Sequence, residues 1–131
     1  MTAEEVVRHF CALVSKRDPD ALREVLDDAV VYHNIGMPAT KGLEATLANL
    51  AGQWEMFPAT YEFAIRNLAA DGDVVLTERV DRVGPEGVVA PIPVMGVFEV
   101  RDGKITVWRD YFDIGLTGKL LGGEDTSDLI T

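Results

Sequence analysis

The dominant hydrophobic period of the chain changes near residue 60, from mostly helical to strand-like, and that change limits its architecture more than any other feature. Before it, apolar residues recur at helical spacing. After it, they fall in runs of strand length separated by turn signals. Thr2 with Glu5 forms a capping box, and Val6, Val7, Phe10, Cys11 and Val14 then supply one apolar helical face. Asp18-Pro19 predicts a second helix start, with Asp18 as N-cap, Pro19 in the first helical position and Leu22, Val25 and Leu26 on the buried side. A short strand is expected over 29–34, ended by Gly36-Met37-Pro38. A third helix is expected over 43–55, with Leu43, Leu47, Leu50, Ala51 and Trp54 as its stripe.

Beyond the switch, strands are expected over 61–68, 74–83, 88–100 (broken by Pro91 and Pro93) and 105–113. The turns between them are Ala70-Asp71-Gly72-Asp73, Gly84-Pro85-Glu86-Gly87 and Asp102-Gly103, the last a strong hairpin signal. The glycine-rich tail 115–131 holds one apolar patch, 116–121, which reads either as a partial helix over a cavity mouth or as a mobile end. Helices followed by a strand meander predict an α+β fold: a curved antiparallel or mixed sheet wrapped around N-terminal helices, with an apolar pocket in its concave face. No repeat, linker or low-complexity segment divides the chain, and 131 residues suit one domain, 1–131.

Twelve Lys and Arg against 22 Asp and Glu leave a net charge of −10, which argues against nucleic acid and anionic membrane surfaces as partners. The single cysteine, Cys11, cannot form an internal disulfide and falls on an apolar helical face, where it packs as a small hydrophobe. A reducing cytoplasm is therefore expected. The acidic N-terminus lacks the pattern of a signal peptide, and no apolar run reaches the length of a membrane span.

Against this background five polar residues stand out. Tyr32 and Asn34 are two apart, as are Arg79 and Asp81, so each pair points to one face of its strand. Asp110 shares a face with Trp108 and Phe112, and a carboxylate between two aromatics is expensive unless it is partnered. The strand over 74–83 mixes apolar and charged residues on both faces, so pattern alone leaves open which face is inside. Two aspartates and one arginine in an apolar cavity carry one negative charge in excess, and burial favours the neutral trio with one shared proton. One aspartic acid can then give a proton while the other carboxylate takes one, with coupled titrations. Tyr32 and Asn34, with the basic carboxylate, could hold a water. Such a site suits a strained electrophile such as an epoxide and needs no metal or covalent intermediate.

Tyr32-x-Asn34, Glu78-Arg79-Val80-Asp81, Gly96-Val97-Phe98 and above all Trp108-Arg109-Asp110-Tyr111-Phe112-Asp113 resemble the limonene-1,2-epoxide hydrolases, whose cone-shaped fold is shared with nuclear transport factor 2 and ketosteroid isomerase. The resemblance runs from the first helix to about residue 116. It implies Asp110 as general base toward water, Asp81 as general acid toward the epoxide oxygen, Arg79 as the bridge between them, and Tyr32 and Asn34 as water-positioning residues. It also implies a cofactor-free homodimer acting on a small-molecule epoxide and water. The implied substrate pocket is Leu50, Trp54, Phe57, Val83, Ile92, Val94 and Phe112. The chain departs from the family around Pro91-Ile92-Pro93 and in the tail.

Plainer readings compete. Arg79 and Asp81 could form a cross-strand ion pair on a solvated face, Asp110 could be satisfied by backbone amides, and Tyr32 could be a sheet aromatic with a wet hydroxyl. Arg109, Tyr111 and Asp113 fall on the face opposite Asp110 and read as structural or interface residues. No His, Cys or carboxylate cluster has metal-ligand spacing, so no metal site is expected. The same fold also serves isomerases and polyketide cyclases that move protons beside carbonyls, and non-catalytic binding modules.

Overall fold

A computed structural model describes residues 1–131. Helix α1 (Ala3–Val14) begins at the expected capping box, with Thr2 and Glu5 satisfying each other's backbone amides. Helix α2 (Pro19–Arg23) is capped by Asp18, whose carboxylate accepts from the amides of Asp20 and Ala21. It is one short turn, and the chain enters β1 (Leu26–Asn34) at once, so Leu26 belongs to the strand. A two-residue strand, β2 (Thr40–Lys41), precedes α3 (Leu43–Met56). Four strands follow: β3 (Thr60–Asp71), β4 (Val74–Gly84), β5 (Ala90–Arg101) and β6 (Lys104–Tyr111), and then helix α4 (Ile114–Leu121).

The six strands form one mixed sheet in the order β2-β1-β6-β5-β4-β3. Only β1 and β6 run parallel. That pairing sets Tyr32 beside Trp108 and Asn34 beside Asp110. The antiparallel β5–β6 and β4–β5 registers place Gly96 between Asp110 on one side and Thr77 on the other. Residues Val75, Thr77, Arg79, Asp81 and Val83 are buried, so this face of β4 is the inner one, settling what pattern left open.

Helix α1 lies across the concave face of β3 to β6, α3 packs on β1 and α4 on β5. Phe10 of α1 meets Trp108, Phe98 and Phe63 edge-on, with ring centroids 4.9, 5.7 and 6.5 Å away. Tyr32 stacks on Trp108 at 3.8 Å, which fixes the phenol ring. These aromatics fill the cone beneath α1 and leave a hollow between α3, α4 and the inner sheet face.

Two expectations need correction. Strand β5 is continuous through Pro91 and Pro93. Both prolines precede Met95, where β5 first pairs with β6, so they lie on a stretch with one strand neighbour and remove no ladder bond from a central position. Strand β6 ends at Tyr111, and Asp113 is the N-cap of α4, its carboxylate accepting from Leu116 N at 2.9 Å. Of the two readings of the apolar patch in the tail, the helical one holds. No helix is long and apolar enough to cross a membrane.

Candidate active site

Arg79 lies at the floor of the hollow with 1% of its surface exposed, beside Asp81 at 6% and Asp110 at 3%. Nε and Nη2 donate to the two oxygens of Asp81 at 3.0 and 2.8 Å. Nη1 and Nη2 donate to the two oxygens of Asp110 at 3.1 and 2.9 Å. The remaining Nη1 proton goes to Thr77 Oγ1 at 3.3 Å, and the Thr77 hydroxyl donates to the Gly96 carbonyl at 3.2 Å. All five guanidinium donors are thus used, and each carboxylate is held bidentately. The Phe63 ring lies 4.6 Å from the guanidinium carbon.

Gly96 makes this arrangement possible. A Cβ there would overlap Arg79 Nη1 and stand 2.8 Å from Asp110 Oδ1 and 2.9 Å from Thr77 Oγ1. Thr77 and Gly96 escaped the sequence reading as site residues. Thr77 shares the inner face of β4 with Arg79 at a spacing of two, so its position was visible once that face was known.

Burial pushes the Asp81 carboxyl up to about 6, against the opposing pull of Arg79. For Arg79, burial works against the charge, but Asp110 and Asp81 outweigh it and hold the guanidinium well above its ordinary range. Burial, with the nearby Asp110, raises the Tyr32 phenol to about 12, so it is a neutral hydrogen-bonding group at physiological pH. Asp81 is the member of this group poised to hold a proton near neutrality.

The cavity above the trio has a volume of about 430 Å³, and twelve of its eighteen lining residues are hydrophobic, which suits an apolar ligand. Asp81, Asp110, Tyr32 and Asn34 all reach it, while Arg79 sits behind the carboxylates. Among the expected pocket residues, Phe57, Val83, Ile92, Val94 and Phe112 line it. Leu50 and Trp54 do not: both are buried in the core, Leu50 completely. The reason is helical phase. Leu43, Leu47, Leu50 and Trp54 form the core side of α3, and the adjoining side, carrying Asn49, Gln53 and Met56, faces the cavity. Sequence reasoning passed over Asn49 and Gln53, although two amides one turn apart on an apolar helix were a usable signal. It also passed over Tyr61, whereas Ile114, Thr117 and Leu121, through which α4 closes one side of the cavity, belong to the tail helix that one of its two readings placed over a cavity mouth.

His33 points away from this site, its ring bonded to the Met37 carbonyl at 2.8 Å. Arg109, also on the outer face, pairs with Glu99 at 2.7 Å. No group of three or more His, Cys, Asp or Glu residues stands close enough to hold a metal ion.

Fold and site together define a cone-shaped α+β protein with two carboxylates and an arginine at the closed end of an apolar cavity. Residues 1–118 match the family model of the limonene-1,2-epoxide hydrolase catalytic domain, and the chain belongs to that family. Epoxide hydrolase EphG of Mycobacterium tuberculosis is 36% identical over 115 residues, spanning 82% of this chain and 71% of that protein. The solved structure of an M. tuberculosis LEH-like epoxide hydrolase, also 36% identical, superposes with a TM-score of 0.83 over 92% of this chain and 90% of that one. A protein of ketosteroid isomerase-like fold from Catenulispora acidiphila shares the architecture alone, at 20% identity and a TM-score of 0.81 over 97% of this chain and 98% of that one.

Proposed function

We propose that this protein is a cofactor-independent epoxide hydrolase that adds water to a small apolar epoxide, cyclic, terpenoid or aryl, and gives a vicinal diol in one step. The observation that carries the reading is the bidentate clamp of one buried arginine on two aspartates beneath an apolar cavity. Family membership and the two mycobacterial epoxide hydrolases support it.

In this reading Asp110 takes a proton from a water held with the help of Asn34 and Tyr32. The water oxygen forms a bond to one epoxide carbon as the carbon–oxygen bond on the opposite side breaks. Asp81 gives its proton to the departing oxygen, and solvent exchange then returns a proton to Asp81 and clears Asp110. Arg79 keeps the two carboxylates at a fixed separation and its charge stays constant throughout. Proton transfer by each positioned carboxyl is expected to contribute about 10²–10⁴-fold. Phe57, Val83, Ile92, Val94 and Phe112 shape the substrate pocket, and their apolar surface excludes water other than the one held for attack.

The test is a panel of epoxides in ¹⁸O-labelled water under single-turnover conditions. Label in the first diol formed supports direct attack by water, and unlabelled diol assigns a covalent ester on an aspartate. Asp110→Asn should lower the rate by about 10²–10⁴-fold. Full activity in that variant removes Asp110 as the base.

On the same reading, residues 1–131 act as one domain, in the cytoplasm, as a homodimer. Met95 and Tyr111, paired across β5 and β6, are exposed on the outer sheet face and support an interface there. Sedimentation of the protein and of a Met95→Lys variant tests it: the variant should shift toward monomer.

A further inference from the structure

The cavity face of α3 carries a polar cluster whose hydrogen bonds run in one direction. Tyr61 donates its hydroxyl proton to Gln53 Oε1 at 2.6 Å. Gln53 Nε2 donates to the Tyr32 oxygen at 3.1 Å and to Asn49 Oδ1 at 2.8 Å. Asn49 is oriented in turn by its own donation to Thr40 Oγ1 at 3.2 Å. Asn34 Nδ2 donates to the same Tyr32 oxygen at 3.0 Å. An amide between two phenols can present oxygen or nitrogen to either of them. Here the Asn49 carbonyl, which can only accept, holds the nitrogen toward Tyr32, and the Tyr61 hydroxyl follows by donating to the oxygen.

The consequence falls on Tyr32. A phenol has one proton and two lone pairs, and two incoming donors occupy the lone pairs. Its proton is left to donate into the cavity that Asp110 and Asn34 also line. The geometry points to Gln53 as a positioning residue that, held by Asn49 and Tyr61, makes Tyr32 a hydrogen-bond donor to the oxygen of the attacking water. This rests on the epoxide hydrolase reading above.

The four valences of that water are then accounted for. One proton goes to Asp110 and the other to Asn34 Oδ1, the end of the amide turned away from Tyr32. One lone pair accepts from Tyr32, and the last is free to attack carbon. Were the Gln53 amide reversed, the Tyr32 proton would turn to Gln53. The phenol oxygen would then compete with Asp110 for a water proton, and the attacking lone pair would lose its aim.

The experiment compares Gln53→Leu and the near-isosteric Gln53→Met, each in wild-type and Tyr32→Phe backgrounds, with thermal unfolding as the check on folding. In the wild-type background kcat should fall about tenfold, the scale of one lost hydrogen bond, with KM for a small apolar epoxide unchanged. In the Tyr32→Phe background either substitution should have no further effect, because Gln53 acts through Tyr32. Full activity of both Gln53 variants, a loss confined to KM, or losses that add in the double variants would each overturn the assignment. A second readout needs no turnover. In protein labelled at tyrosine ¹³Cζ, the Tyr32 resonance should move in Gln53→Met and in Tyr61→Phe. An unmoved resonance overturns the hydrogen-bond relay whatever the rates. A wild-type protein that opens no epoxide while these shifts are present sinks the functional reading and leaves the donor geometry of Tyr32 supported.

Discussion

Asp81 carries a pH signature of its own. Its carboxyl ordinarily titrates at 3.8 and is pushed by burial to about 6 in the fold. A proposed acid must be protonated to act, so kcat/KM, which reports the free enzyme, should decline tenfold per pH unit above about pH 6. A profile flat from pH 6 to 8 (about two decades of proton activity) would place the acid elsewhere. The sign for stability follows from the same shift. The fold prefers the protonated carboxyl, so this contribution is fully present below pH 3.8 and is lost as pH rises through about 6. Gly96→Ala probes the geometry rather than the proton. The backbone tolerates alanine there, but the added methyl overlaps Arg79 Nη1 and must move the guanidinium off a carboxylate. A displacement near 1 Å in such a site costs on the order of 10²-fold, so the variant should stay folded and lose at least that much in kcat.

At the scale of elements, α3 governs the cavity wall, and Arg17 governs where α3 ends. Arg17 follows α1 in a left-handed conformation with φ of 54°. Its guanidinium donates to the carbonyls of Trp54, Phe57 and Pro58 at 2.9, 2.8 and 3.3 Å. Those of Trp54 and Phe57 are among the carbonyls a helix leaves unpaired at its C-terminus, and Pro58 directly follows the cap. Arg17→Ala should destabilise the protein by about 1–3 kcal/mol in urea unfolding and loosen substrate binding, because Met56 and Phe57 at that end line the cavity. An unchanged midpoint would show that solvent satisfies those carbonyls equally well. This tie could not be read from sequence, because it joins the turn after α1 to the end of α3, some 40 residues on, through a side chain with no periodic signature. The buried trio was legible for the opposite reason: Arg79 and Asp81 obey a period of two, and Asp110 stands in a dense aromatic strand. What pattern could not supply was the inner face of β4, since charge and apolar surface alternate on both sides. The core stripe of α3 was read correctly from its period, and it was the resemblance that moved Leu50 and Trp54 from that stripe to the pocket, while burial keeps them in the core and the less conspicuous Asn49 and Gln53 face the cavity. The parallel β1–β6 pairing, which brings Asn34 to Asp110, depends on distant segments meeting and leaves no local mark.

For the whole molecule, the trio is a site kept at a cost to the fold. Three charged side chains are almost wholly buried within a single core of 27 apolar residues, and each forfeits its hydration. Bidentate pairing offsets that desolvation, but apolar side chains of similar volume would incur none of it. Removing one partner is different from removing all three. Arg79→Met leaves two carboxylates buried without their cation and should cost about 3–5 kcal/mol at neutral pH. The loss should shrink on acidification, because two protonated aspartic acids no longer need a cation. The triple variant Arg79→Met, Asp81→Leu, Asp110→Leu should recover most of that loss or exceed the parent, since no buried charge remains, while hydrolysis is abolished in both. Urea unfolding of the parent, single and triple variants at two pH values makes the comparison. A triple variant no more stable than Arg79→Met would mean that the ion cluster holds the sheet together, and that its persistence reflects folding rather than chemistry.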